Sequence, residues 1–254
     1  MSGTTAGEQP LIAHLLELRT RLLRSVLGVL LVALPLLYFG QELYTLTAAP
    51  LMQFLPPGST MIATEVASPF FAPIKLALVM ALVLAMPWVL YQAWAFVAPG
   101  LYHSEQRFVV PLLASSTLLF YAGIAFAYFG VLPLVFKFVI GVAPAGVAVM
   151  TDISHYLSFV LGLFVVFGVA FETPVAIVLL VKAGLVTPAK LASIREYVFL
   201  GAFIAGAVLT PPDVLSQTLL ALSIYALYEI GIVAARWLVP GSREVEAQQR
   251  NQPS

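Results

Sequence analysis

Long apolar runs alternate with short polar or proline-marked breaks along nearly the whole chain. Hydrophobic residues make up 61% of the 254 residues and charged residues only 9%, whereas about a quarter of a soluble domain is charged. A spanning helix needs roughly 20 apolar residues, because lipid offers its backbone no hydrogen-bond partner. We therefore predict an all-α, polytopic membrane protein with six transmembrane helices. The six runs are 25–40, 70–98, 108–136, 156–181, 197–210 and 214–235.

The fifth and sixth spans are expected to be short. At about 1.5 Å per residue, the run 197–210 covers only about 21 Å, and the sixth run follows at once after the proline-containing break 210–213. A recessed helix end or a locally thinned bilayer would accommodate such a span. Pro87 and Pro174 lie inside spans and are expected to kink them.

The basic residues predict the orientation. If the N-terminus is cytoplasmic, every Lys and Arg except Lys75 and Lys137 falls on the cytoplasmic side, as the positive-inside rule requires. Both termini then face the cytoplasm, which agrees with an even number of spans. We expect residues 1–240 to form a single transmembrane domain and residues 241–254 to form a disordered cytoplasmic tail.

Enzyme chemistry finds little support. The chain has no cysteine and no phosphate-binding glycine loop, and none of its three histidines has a second ligand at metal-binding spacing. Asp152, Ser154 and His155 are close together, which permits a hydrolase interpretation. Residues so close at a helix start more often cap the helix. The sequence therefore predicts no enzyme, no metal and no cofactor.

Glu172 lies inside the fourth apolar run, where a charge costs about 3 kcal/mol on insertion scales. One interpretation is a protonated, internally hydrogen-bonded acid that helps the bundle to pack. The other is a docking or proton-relay group, which we favour, because Pro174 cannot donate to the carbonyl of Ala170 and leaves a polar opening nearby. Glu229, near a helix end, is expected to snorkel or to pair with Arg236.

Two more carboxylates fall on the predicted cytoplasmic side. Glu17 lies on a polar stripe of an amphipathic N-terminal helix, where it either pairs with Arg21 four residues later or stays available to a partner, and periodicity does not decide between these. Glu105 follows Ser104, which could cap the third span with Glu105 in its first turn. That arrangement would leave the Glu105 carboxylate ionised and able to meet an external cation.

Several motifs, in order along the chain, resemble the TatC family, the multispanning receptor subunit of the twin-arginine protein translocase. The resemblance runs from about Leu11 to Trp237. The matching motifs are HLLELR at 14–19, MIATEVASPFF at 61–71, YQAWAFVAPGLY at 91–102, FETP at 171–174 and LTPPDVLSQT at 209–218.

The resemblance implies a protein of the bacterial inner membrane that binds twin-arginine signal peptides and passes folded proteins across the membrane with the proton-motive force. It implies single-span partners of the TatA and TatB type and a homo-oligomer within the complex, and it involves no nucleic acid. Two other functions remain as alternatives. One is a proton-coupled small-solute transporter that uses Glu172 as its relay, and the other is a purely structural scaffold.

By the same resemblance, Glu17 and Glu105 would meet the arginine pair, supported by Phe96 and Arg19. A carboxylate can accept two hydrogen bonds from the planar arginine fork, but an exposed ion pair contributes only about 0.2–1 kcal/mol. We therefore expect a two-part site, in which carboxylates select the arginines and an apolar groove near Phe96 supplies affinity.

The resemblance implies roles for a second group of residues. Glu172 would be the intramembrane polar contact. Thr210, Asp213 and Gln217 would help to dock partner helices, and Pro50 would support the exterior loop.

Overall fold

The computed structural model describes residues 8–52, 61–97, 109–142, 150–209 and 214–239. Within these ranges the regular secondary structure is helical, apart from one isolated bridge between Ile62 and Asp152. The predicted all-α class is therefore confirmed. The tail 241–254 and the predicted site residues Glu105, Thr210 and Asp213 lie outside the described residues.

The helices follow the apolar runs, and single-residue breaks between successive helices fall at Phe39, Ala85, Glu172 and Ile194. A π-helical segment, Ala127–Val131, joins the α-helix before it and the α-helix after it into one continuous stretch. The helices are α1 (Glu8–Tyr38), α2 (Gly40–Met52), α3 (Ser68–Leu84), α4 (Met86–Val97), α5 (Val109–Phe126), α6 (Leu132–Val142), α7 (Ile153–Phe171), α8 (Thr173–Lys182), α9 (Pro188–Ser193), α10 (Arg195–Leu209) and α11 (Val214–Leu238).

Four stretches of the described chain are long and apolar enough to cross a membrane alone: His14–Tyr38, Val110–Phe138, Ile153–Lys182 and Gln217–Leu238. The helices α3 and α4 form a further span as a pair bent by 51°.

The bend between α3 and α4 lies at Ala85, two residues before Pro87, for which a kink was predicted. Proline has no N–H to donate and its ring clashes with the carbonyl four residues before it, which here belongs to Val83. The hydroxyl of Tyr121, on α5, donates to that carbonyl over 3.1 Å. A neighbouring helix therefore satisfies the acceptor that the kink exposes.

The fifth span is short and the sixth is not. Helix α10 has 15 residues, which reach about 22 Å against a hydrocarbon core of about 30 Å. Helix α11 has 25 residues, which is enough to cross. The predicted shortness therefore holds for α10 alone, because the apolar run 214–235 is already long enough to cross and α11 extends it to Leu238.

The core lies where α5 crosses α7, and two glycines allow the approach. A Cβ atom at Gly123 would lie 2.5 Å from the carbonyl oxygen of Phe167, and one at Gly168 would lie 2.5 Å from the ring of Phe120. Both phenylalanines are buried. Small residues let spanning helices approach closely where lipid supplies no hydrophobic driving force, so this crossing fixes the centre of the bundle.

Helix α1 lies at the edge of the bundle, with only 6% of its most apolar stretch buried. It contacts the bent pair through Trp88, whose indole nitrogen donates to the carbonyl of Arg24 over 3.0 Å. The same indole lies over Gly28, where a Cβ would come within 2.4 Å of it. The remaining apolar surface of α1 is exposed and suits lipid or another membrane helix.

The bundle has two ends, which we name by their residues. The N-terminal face holds the start of α1 and the end of α4, joined by the contact of His14 with Phe96. It also holds the start of α10 and the end of α11, joined by an ion pair of Arg195 with Glu229. The cap face, at the opposite end, holds the start of α7 and the segment before α3, joined by the bridge of Ile62 with Asp152.

Candidate functional site

On the N-terminal face, the polar stripe of α1 that contains Glu17 lies next to the end of α4. The imidazole of His14 stacks on the ring of Phe96, with centroids 4.2 Å apart and planes inclined by 22°. Glu17 follows three residues after His14, and the side chain of Arg19 on the same helix is exposed. Glu17 lies one turn from the residue that contacts Phe96, whereas Arg19, two residues after Glu17, projects from the other side of α1. The fourth predicted signal-peptide residue, Glu105, lies outside the described residues.

Glu17 already has a partner within its own helix. Both Nε and Nη2 of Arg21 donate to its Oε1, over 2.9 and 2.7 Å. The side chain of Glu17 is 35% exposed and that of Arg21 is 21% exposed. The pair therefore stays in contact with solvent and stabilises the helix by only a few tenths of a kcal/mol. The ion pair therefore forms without closing the Glu17 carboxylate to an external arginine.

An intramembrane polar cluster surrounds Glu172, at the break between α7 and α8. The hydroxyl of Ser116, on α5, donates to Oε2 of Glu172 in a short hydrogen bond. Ser116 is fully buried and accepts in turn from the indole nitrogen of Trp94, on α4, over 3.2 Å. Three separate elements thus contribute to a chain of hydrogen bonds that ends on the carboxyl group.

Two acceptors in this part of the bundle have no hydrogen-bond donor among the described residues: Oε1 of Glu172 and Oε1 of Gln92, both buried. A buried polar atom without a partner costs about 1–3 kcal/mol, so such atoms are rare in native structures. The cluster has unused accepting capacity, in agreement with the interpretation of Glu172 as a contact group.

The opening expected beside Pro174 is closed by a local hydroxyl. Thr173 Oγ1 donates over 2.6 Å to the carbonyl of Ala170, the acceptor that proline leaves free. The spare capacity therefore lies on the Glu172 side chain and not on the backbone.

On the cap face, both carboxylate oxygens of Asp152 accept hydrogen bonds. The backbone N–H and hydroxyl of Thr64 donate to Oδ2 over 2.8 and 2.7 Å. The N–H groups of Ser154 and His155 donate to Oδ1 over 2.8 and 3.1 Å. The hydrogen bonds from Thr64 above all hold the pKa of Asp152 well below its usual range. The capping role predicted for Asp152 is confirmed.

The contact between the short α10 and α11 uses one predicted docking residue. The amide nitrogen of Gln217 donates to the carbonyl of Phe203 over 3.2 Å, and the Gln217 backbone and side chain lie 3.1 Å from the Cβ position of Gly206. At the other end of α10, Arg195 donates to both carboxylate oxygens of Glu229 over 2.5 and 2.8 Å. These contacts fasten the short span to its neighbour.

A family model described as Sec-independent protein translocase protein (TatC) matches residues 13–222. The chain belongs to the TatC family. The Sec-independent protein translocase protein TatC of Escherichia coli K12 is 57% identical over 238 residues, which are 94% of this chain and 92% of that protein. The TatC protein of Aquifex aeolicus is 39% identical over 239 residues, which are 93% of this chain and 99% of that protein.

A solved structure agrees in fold. The crystal structure described as the twin arginine translocase receptor TatC superposes with a TM-score of 0.80 at 40% identity, and the match covers 88% of this chain and 98% of that one. The predicted TatC resemblance and the six-span architecture are therefore confirmed. The family consists of translocase components, so the expectation that this TatC-family chain is not an enzyme is confirmed as well.

The sequence did not predict which side chains contact Phe96 on the N-terminal face or Glu172 inside the membrane span. It did not place His14 on Phe96, nor Ser116 and Trp94 beside Glu172. A signal existed for Ser116, because a serine in a long apolar run needs an acceptor when it is buried. Which acceptor it finds depends on the crossing of α5 with the α7–α8 break, which no local pattern encodes.

Proposed function

We propose that the chain is the receptor and core subunit of a twin-arginine translocase in a bacterial inner membrane. Residues 1–240 act as one transmembrane domain with both termini in the cytoplasm, and residues 241–254 form a disordered tail. The chain binds twin-arginine signal peptides. With TatA- and TatB-type single-span partners, and as a homo-oligomer, it exports folded proteins with the proton-motive force. Membership of the TatC family supports this function, and the asymmetry of the basic residues supports the orientation.

The signal-peptide site lies on the N-terminal face, where Glu17 and Glu105 accept the two guanidinium groups and Phe96 and Arg19 complete the patch. The observation that carries this assignment is the stacking of His14 on Phe96. It fixes the polar stripe of α1 that carries Glu17 beside the end of α4, eight residues before Glu105 in the sequence.

Recognition at this patch proceeds by exchange of partners. An incoming arginine replaces Arg21 on Glu17, and because both pairs are exposed the exchange has a small net free energy. Carboxylates therefore select guanidinium over ammonium through bidentate geometry. The apolar part of the peptide supplies most of the affinity by lying against Phe96 and the exposed surface of α1.

The other predicted residues have roles deeper in the protein. Glu172 provides an intramembrane polar contact, supported by its unpartnered oxygen. Thr210, Asp213 and Gln217 form a docking surface for partner helices around the short fifth span, and Pro50, on α2, supports the exterior loop.

Site-specific crosslinking tests the signal-peptide site. A photoreactive residue in place of Glu17 or Glu105 should capture a twin-arginine peptide and capture a twin-lysine peptide much less. A probe in place of Glu42, an exposed carboxylate toward the cap face, should capture neither. Capture confined to the Glu42 probe would contradict the assignment.

Export assays provide the functional counterpart. Replacing Glu17 alone with Ala should weaken peptide binding by up to about fivefold, the value of one exposed ion pair. Replacing both Glu17 and Glu105 should weaken it by up to about 25-fold, the product of two independent pairs, and should reduce twin-arginine export. Glu196→Ala is the matched control, since Glu196 is an exposed acid in the first turn of α10 on the same face. Normal sorting by the double variant would refute the two-carboxylate site.

The small-solute transporter considered from the sequence gains no support from the family or from its solved structures.

A further inference from the structure

A groove of about 460 Å³ lies between α3 and α7, near the cap face. Most of its lining is apolar, and three polar side chains, Lys75, Ser154 and Ser158, lie along it. The apolar lining includes Phe71, Ile74, Leu78 and Leu157. Phe71 and Leu78 are 60% and 44% exposed, so the groove opens toward the surroundings of the bundle.

Lys75 is a cation without an anion in this groove. Its Nζ donates to Ser158 Oγ over 2.7 Å, and Ser158 Oγ donates onward to the carbonyl of Ser154 over 2.6 Å. No carboxylate of the described residues lies within ion-pair distance of Lys75. An ammonium carries three donors, so two remain for a ligand.

The neighbouring acids do not fill that place. Both oxygens of Asp152 already accept hydrogen bonds from the cap. Glu65, in the segment before α3, is exposed and forms no ion pair with Lys75. The exposed ammonium of Lys75 is therefore available to an anion from outside the chain.

The depth and length of the groove indicate what kind of anion can bind in it. Lys75 lies seven residues into α3 and Ser158 five residues into α7, about 8–10 Å below the helix starts, close to the headgroup boundary of a bilayer. The lining along α3 extends from Phe71 to Val79, about 12 Å, which is too short to hold a helix that spans about 30 Å.

We propose that this groove binds an anionic phospholipid of the exterior leaflet, with its phosphate on the ammonium of Lys75 and an acyl chain along the apolar lining. A soluble phosphate would leave the apolar surface wet. A zwitterionic lipid would bring a second positive charge close to Lys75, which an anionic lipid does not. The site lies at the opposite end of the bundle from the proposed signal-peptide patch, so its test does not depend on that patch.

Native mass spectrometry of the full chain tests the site, with the protein released from nanodiscs of mixed phosphatidylglycerol and phosphatidylcholine. The chain should retain phosphatidylglycerol in preference to phosphatidylcholine. Lys75→Gln should reduce that preference about fivefold, the effect of one basic residue at a membrane surface, and Lys75→Arg should preserve it.

Lys137→Gln is the matched control, because Lys137 is the other basic residue predicted on the exterior side and its side chain is exposed on α6. It should retain phosphatidylglycerol as the unchanged chain does. Equal losses from the Lys75 and Lys137 variants would overturn the site in favour of general electrostatic attraction. Displacement of the lipid by millimolar inorganic phosphate would overturn it in favour of a soluble anion, and an unchanged preference in Lys75→Gln would also refute it.

Discussion

Asp152 and Glu172 are both acids at the end of a helical segment, but they differ in their location and in the number of hydrogen bonds that they accept. Asp152 lies at the cap face and accepts four hydrogen bonds from three residues. Glu172 lies inside a span, accepts from Ser116 alone, and keeps one buried oxygen without a donor in the described chain. A carboxylate whose acceptor sites are all used holds structure together, whereas one with a spare site can contact a partner.

Replacing Asp152 with Ala should give the largest loss of thermal stability among the changes considered, because four donors lose their acceptor together. Thermal unfolding in detergent measures it. Asparagine keeps one carbonyl oxygen and is a good helix cap. The unfolding temperature of Asp152→Asn should therefore lie between those of the unchanged chain and of Asp152→Ala. If Asp152→Ala unfolds at the same temperature as the unchanged chain, the cap is not structural.

The same carboxylate should make the stability depend on pH in the acid range. Its pKa in the folded protein is held below the unfolded value of about 3.9, so its stabilising effect is complete above that value and is lost as the pH falls toward the folded pKa. Thermal midpoints measured from pH 6 down to pH 3 should decline below about pH 4. In Asp152→Asn this part of the decline should be absent.

Ser116→Ala tests the other carboxylate from its partner's side. It removes the hydroxyl that donates to Glu172 and leaves the indole N–H of Trp94 without its acceptor, at a cost of about 1–3 kcal/mol. Denaturant or thermal unfolding measures the loss. A variant at Ser115, whose hydroxyl bonds only within its own helix turn, is the control and should lose less.

Glu172→Gln should have the smallest effect on stability of the changes considered, because the amide oxygen still accepts from Ser116. Export of a twin-arginine cargo should nevertheless fall, since a carboxylate is lost at the proposed contact. Full export by this variant would make Glu172 a packing group, and the contrast with Asp152 would then be one of location alone.

Local features were predictable from the sequence where their cause is local. The Asp152 cap follows from a carboxylate two and three residues before the N–H groups of Ser154 and His155, and the kink at Pro87 follows from its missing donor. The length of α10 follows from its apolar run. Each of these depends on residues within a turn or two of one another.

Contacts between distant residues were not predictable. Thr64 and Asp152 are 88 positions apart, Ser116 and Glu172 are 56 apart, and Trp94 and Ser116 are 22 apart. Periodicity assigns a residue to a face of a helix but does not say which helix that face meets. The polar clusters arise from helix crossings such as that of Gly123 with Phe167, and those depend on the whole bundle.

The contact of Gly28 with Trp88 has a consequence for the height of the N-terminal patch. The indole fits over α1 only where a side chain is missing, and the neighbouring Leu27 or Val29 would collide with it if α1 shifted by one residue along its axis and turned by about 100°. The glycine therefore acts as a notch that sets the axial register of α1. Glu17, 11 residues earlier in the sequence and about 16 Å along the helix, is thereby held at a fixed distance from the point where α1 crosses the bent pair.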